Sequence, residues 1–86
     1  MNTRKHKQQL LFTDQYQEVI PDTKVKHAQA GELIQVHLFP GDDNGQMYRK
    51  TALQDRPYKT RVLVERDHSR VHHLHDENNC TIYVEK

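Results

Sequence analysis

The sequence predicts a small, mainly β protein, all-β or α+β, built on one antiparallel sheet or partly open barrel. Three observations predict it. Apolar residues recur with period two in the stretches that start at Leu33, Tyr58 and Cys80, turn-forming clusters separate these stretches at short intervals, and no long segment carries a helical period. Eighty-six residues make one domain, and at this length folding buries only a modest share of the surface. Ordering a chain costs on the order of 1.5 kcal/mol per residue, yet only 34% of the residues are hydrophobic. So thin a core predicts mobile ends, or a partner chain that lends surface, and a homodimer is one expectation.

Residues 1–9 hold Arg4, Lys5, His6 and Lys7 without apolar periodicity, which predicts a disordered basic arm ahead of a single β-rich domain over 10–86. In Leu10 to Ile20, Phe12, Tyr16, Val19 and Ile20 fall on one helical face, Asp14 and Gln17 resemble a capping box, and Pro21 follows. That pattern predicts a short N-terminal helix, with a strand as the alternative because the residues are aromatic and β-branched. Asp22 to Ala30 reads as one or two helical turns closed by Gly31, or as a strand that turns at Ala30-Gly31.

Leu33 to Phe39 alternates, with Ile34, Val36 and Leu38 on one face and Gln35 and His37 on the other. Pro40 to Gly45 is a loop, because Pro-Gly and Asn-Gly supply the backbone conformations turns require. Strand-like residues resume from Gln46 to Leu53 and break at Asp55-Arg56-Pro57. Tyr58 to Arg66 sets Tyr58, Thr60, Val62 and Val64 against Lys59, Arg61, Leu63 and Glu65. A hairpin loop at Asp67 to Ser69, a return strand over Arg70 to His75, a turn at Asp76 to Asn79 and a strand from Cys80 to Glu85 complete a C-terminal three-stranded meander.

One cysteine excludes an intramolecular disulfide, and no N-terminal apolar run has signal-peptide length. No segment approaches the ~20 apolar residues of a membrane span. A cytoplasmic protein without a membrane partner is the expectation.

The net charge of +1 hides a pattern. Residues 1–9 carry +3, residues 10–48 carry −4, residues 49–70 carry +4 and residues 71–86 carry −2. The third block, Arg49, Lys50, Arg56, Lys59, Arg61, Arg66 and Arg70, is interleaved with Tyr48 and Tyr58, and Arg49, Lys50, Tyr58, Lys59, Arg61 and Arg70 are its candidate contacts. Cations for phosphates and rings for stacking are what a sheet surface needs to bind nucleic acid. Together with Arg4, Lys5 and Lys7 of the arm, these residues form the candidate interface.

His68 to Cys80 holds four of the seven histidines and the only cysteine. Strand alternation puts His73 and His75 on one face with Val71, and His72 with Arg70 and Leu74 on the other. His73 and His75, with Cys80, Asp76 or His37 as a third or fourth ligand, are the side chains that would open a metal site, but no ligand spacing of a known metal motif accompanies them, so neither a metal nor another cofactor is predicted. Cleavage of RNA without a metal needs a base, an acid and a cation. His73, His75 and Arg61 are the candidates for those roles.

Gly31-Glu32-Leu33-Ile34-Gln35-Val36, then Pro40, then Arg56-Pro57 before Val62-Leu63-Val64, resembles the opening of the PemK/MazF-type endoribonuclease toxins. In that family a Gly-Asp-hydrophobic strand precedes an Arg-Pro pair. The resemblance implies RNA cleavage with Arg56 at a catalytic position. The chain departs from the pattern by a long gap before Arg56 and by ending where a second catalytic strand and a C-terminal helix should follow. Three functions fit these residues. The first is a non-enzymatic module that binds nucleic acid or a nucleoprotein, the second a histidine-dependent ribonuclease of toxin type, and the third a protein-binding adaptor or inhibitor.

Overall fold

A computed structural model describes residues 16–86. The predicted arm over 1–9, and the part of the predicted helix before Tyr16, lie outside the described residues. The strands are β1 (Tyr16–Lys24), β2 (Leu33–Val36), β3 (Met47–Lys50), β4 (Lys59–Val64), β5 (Asp67–His75) and β6 (Asn79–Glu85), with one 3₁₀ turn at Val25–His27. They form one antiparallel sheet in the order β1-β6-β2-β3-β4-β5, which does not close into a barrel. Among the described residues no helix is long and apolar enough to cross a membrane.

Period-two alternation explains the middle of the sheet. Cross-strand partners share a face, and Ile34 is paired with Tyr48 on one side and Ile82 on the other. Val36 pairs with Cys80, and Tyr48 with Val64. These residues, with Val62, lie on one face, here called the core face, and Val25 and Ala28 from the segment after β1 pack against them. The second face carries a smaller cluster of Val19, Leu33 and Tyr83, with Tyr16 and Met47 against it. A row on this face crosses the whole sheet: Val19, Tyr83, Leu33, Arg49, Leu63 and Val71.

Residues 16–20 form a strand instead of the predicted helix. Both faces of β1 are used: Val19 opposes Tyr83 on the second face, and Ile20 opposes Ile82 on the core face. Two adjacent apolar residues needed on opposite faces look like neighbours on a helix. Pro21 does not end β1. It sits where the β1–β6 register shifts between Ile20 and Thr23, because a residue without an N–H cannot continue the ladder. Gly31 has φ +89, the left-handed conformation expected for it.

The predicted three-stranded meander is replaced by a different return. The β4–β5 hairpin forms, but β6 does not pair with β5; it crosses to lie between β1 and β2. The turn after β5 directs this crossing, since the amides of Val25 and Lys26 donate to the carbonyls of Asn78 and Asp76 and tie it to the 3₁₀ segment. The β4–β5 loop is Glu65-Arg66, two residues earlier than predicted. Three extra residues then enter β5, because Val64 pairs with Asp67 while Leu63 pairs with Val71.

Candidate functional site

The histidine stretch lies on β5, a strand that pairs with β4 and forms one edge of the sheet. Its alternation is as expected from Val71 onward. His72 and Leu74 oppose Val62 and Thr60 on the core face, where the His72 ring lies 5.5 Å from that of Tyr48. His73 and His75 oppose Arg61 and Lys59 on the second face. His68 sits in the bulge with its Nε2 3.9 Å from Glu65.

Arg61 and His73 meet on a carboxylate that their spacing in the chain does not reveal. Asp55, from the loop between β3 and β4, accepts a hydrogen bond from His73 Nε2 at 2.9 Å and lies 3.9 Å from Arg61 Nε. The hydrogen bond from His73, with the charges of His73 and Arg61 behind it, holds the Asp55 carboxyl below the usual carboxylate range. His75 is engaged elsewhere, its Nδ1 accepting from the Glu77 amide at 3.2 Å. The three side chains that could serve RNA cleavage thus share a face, with His73 and Arg61 bound to one acid and His75 held by the following turn.

The metal set is not brought together. Cys80 is fully buried on the core face opposite Val36, away from the face that holds His73 and His75. Burial pushes its thiol up to about 12, so it stays protonated and behaves as a small hydrophobe. His37 is engaged at both ring nitrogens, by the Asp42 carbonyl at 2.8 Å and Thr81 Oγ1 at 2.7 Å. Among the described residues no group of three His, Cys, Asp or Glu side chains could hold a metal ion.

The described members of the predicted basic interface divide into three groups. Arg49 is locked, reaching Glu65 through Nε at 3.2 Å and Nη2 at 3.0 Å, and Glu85 and the Gly31 carbonyl through Nη1 at 2.6 and 3.1 Å. Lys50 opposes Val62 and donates to the Thr51 carbonyl, and Arg70 places its charge near the Tyr48 phenol, so both belong with core-face neighbours. Lys59 and Arg61 remain on the second face. Arg4, Lys5 and Lys7 lie outside the described residues.

Tyr58 stands beside Lys59 with 77% of its surface exposed and φ +58, a conformation uncommon for a residue with a Cβ. The Asp76 amide donates to the Tyr58 carbonyl, which holds this corner against the end of β5. Arg56, the position the toxin resemblance singles out, is exposed in the same turn, and the Lys59 amide donates to its carbonyl. Residues 55–61 therefore hold Arg56, Lys59 and Arg61 against the single acid Asp55, together with the exposed Tyr58. The other nearby carboxylate, Asp76, accepts from Thr60 Oγ1 at 2.7 Å.

Two features carry no signal in the residue pattern. Asp55 reads as part of a loop break, and its partners lie 6 and 18 residues away. Alternation places Leu38 with the buried Ile34 and Val36, but β2 ends at Val36 and Leu38 is 85% exposed. No protein-family model matches this chain, and no curated protein or solved structure matches it either.

Proposed function

We propose that the protein is a non-enzymatic binding module, working in the cytoplasm, that holds single-stranded nucleic acid at the corner formed by Arg56, Tyr58, Lys59, Arg61 and His75. The observation that carries this reading is Tyr58, an aromatic side chain 77% exposed at a left-handed backbone position, with Arg56 and Lys59 close to it on either side in the chain. A base stacked on such a ring contributes about 1–3 kcal/mol whatever its identity. Arg56, Lys59 and Arg61 supply charge for the phosphates, and the arm residues Arg4, Lys5 and Lys7 would extend the track. The candidate surface is smaller than the sequence predicts, because Arg49 is neutralised by two glutamates and Arg70 belongs to the other side.

Fluorescence anisotropy with a labelled oligonucleotide tests this. Three phosphates neutralised on a single strand give a log–log salt slope of about −2, and Tyr58→Ala should weaken binding about tenfold. Tyr58→Gly should weaken it equally while leaving the fold as stable or more so, because glycine relieves a left-handed conformation that costs about 1–2 kcal/mol. Binding that ignores salt, or that survives both substitutions, would overturn the reading. Progressive shortening of RNA that His73→Ala abolishes would replace it with the hydrolytic one.

A further inference from the structure

The exposed loop from Ala52 to Tyr58 reaches back to the second face of the sheet through the Asp55 carboxylate. Leu53 and Gln54 bond within the connection, to Thr51 Oγ1 and to the Arg56 carbonyl. The two oxygens of Asp55 address different cations: Oδ1 accepts from His73 Nε2 at 2.9 Å, and Oδ2 lies 3.9 Å from Arg61 Nε. His73 and Arg61 are themselves cross-strand partners on β5 and β4.

An ionised carboxylate only accepts, so His73 Nε2 carries a proton in this contact, as the guanidinium of Arg61 always does. Two N–H donors turned toward one acceptor-only anion are what a phosphate oxygen pair also requires. The donors are fixed by the β4–β5 ladder, with side chains 27% exposed for Arg61 and 18% for His73, whereas the anion comes on a loop and is 43% exposed. An ion pair so open to water adds little to stability, and an anion from solution can exchange with it. Among the described residues Lys59, two positions along β4 on the same face, has no ion-pair partner. Asp55 therefore answers one of two fixed positive charges there, and an incoming anion still meets the other.

We propose that His73 and Arg61 form a binding site for a backbone phosphate of nucleic acid, that Asp55 occupies this site in the free protein, and that the phosphate enters by displacing the Asp55 carboxylate. The site rests on the nucleic-acid reading of the Tyr58 corner: it names the donors that take a phosphate there and the group that fills their place beforehand. It adds His73 to the corner and makes Asp55 an internal competitor of the ligand. A carboxylate that served only to position the loop would act with the opposite sign, because its loss would weaken binding.

Fluorescence anisotropy of the full chain with a labelled single-stranded oligonucleotide at low salt tests the proposal. Asp55→Asn, which keeps an acceptor for His73 but no charge, should bind about fivefold more tightly than the parent, and Asp55→Ala should do the same. Asp67→Asn removes one charge from the far end of β5 and should change binding far less. Adding His73→Gln to Asp55→Asn should cancel the gain, which a general change in charge would not allow. Unchanged circular dichroism spectra report that each variant is folded. Asp55 variants that bind no more tightly than the parent, or a gain that Asp67→Asn matches or that survives His73→Gln, would overturn the site and leave the Tyr58 reading standing. No binding by the parent or by any variant would overturn both.

Discussion

Gly45→Ala is expected to destabilise the domain by about 3 kcal/mol or more. A Cβ at Gly45 would lie 1.7 Å from the Val36 carbonyl oxygen and 2.9 Å from its carbon, so backbone, not a flexible side chain, must move. The contact closes the β2–β3 connection. The Val36 amide donates to the Gln46 carbonyl, and Gln35 Nε2 donates to the carbonyls of Asp43 and Gly45. Val36 also pairs with Cys80 of β6, so displacing it disturbs the centre of the sheet. A domain of this length has on the order of 4–13 kcal/mol of stability, and 1 kcal/mol corresponds to about 4–8 °C in Tm at this size. Calorimetry should show a fall of about 12 °C or more. A fall of only a few degrees would mean that the loop does not rest on Val36.

The second large effect is alkaline unfolding. Burial raises the Cys80 thiol to about 12, and it raises the phenols of Tyr16, Tyr48 and Tyr83 above their ordinary value. Each group is neutral when protonated, so the folded state holds these protons more tightly than the unfolded chain. Their stabilisation is complete below the unfolded values, about 8.5 for a thiol and 10 for a phenol, and is lost as pH rises toward the folded ones. For Cys80 the loss is on the order of 3 kcal/mol by about pH 10.5. In acid, the depressed groups are Asp55, Asp67 and Glu77. Their stabilisation is present above the ordinary carboxylate range and lost as pH falls below it, but all three sit in solvent and contribute little. The domain should therefore fail in base before it fails in acid. Cys80→Ala should be less stable than the parent at about pH 7, through the lost buried sulfur, and this deficit should shrink or reverse by about pH 10.5. Urea midpoints at the two pH values measure it, and a constant deficit would contradict the account.

Much of the fold is legible in the sequence because local alternation reports burial directly. Ile34 and Val36, Val62 and Val64, and Cys80 and Ile82 are all buried on the face their period predicts. Long-range pairing is not legible. Nothing local in Cys80 to Glu85 states that both neighbours, β1 and β2, lie far back in the chain, and a hairpin with β5 is the simpler reading. The Glu65-Arg66 loop carries no glycine or asparagine, whereas Asp67 and Ser69 look like turn residues. They do make a local contact, since Asp67 Oδ1 accepts from the Ser69 amide and hydroxyl, but it lies inside the bulged strand.

The candidate site is legible as faces and not as partners. Alternation places His73, His75, Lys59 and Arg61 together, yet the charge left for a ligand depends on acids supplied by other segments. Arg49 meets Glu65 and Glu85 16 and 36 residues away, which removes it from the basic surface. Tyr58 stands out in the sequence for its ring, while its outward presentation follows from a backbone conformation that no residue pattern announces.

The most direct test of a nucleic-acid-binding corner is a ¹⁵N–¹H NMR titration of the labelled protein with a short single-stranded oligonucleotide at low salt. Concentration-dependent shifts are expected at Arg56, Tyr58, Lys59, Arg61 and His75, fading as salt rises, with Val36 and Tyr48 unmoved. Shifts confined to the Leu38–Phe39 corner, or none up to the solubility limit, would contradict a nucleic-acid site at Tyr58.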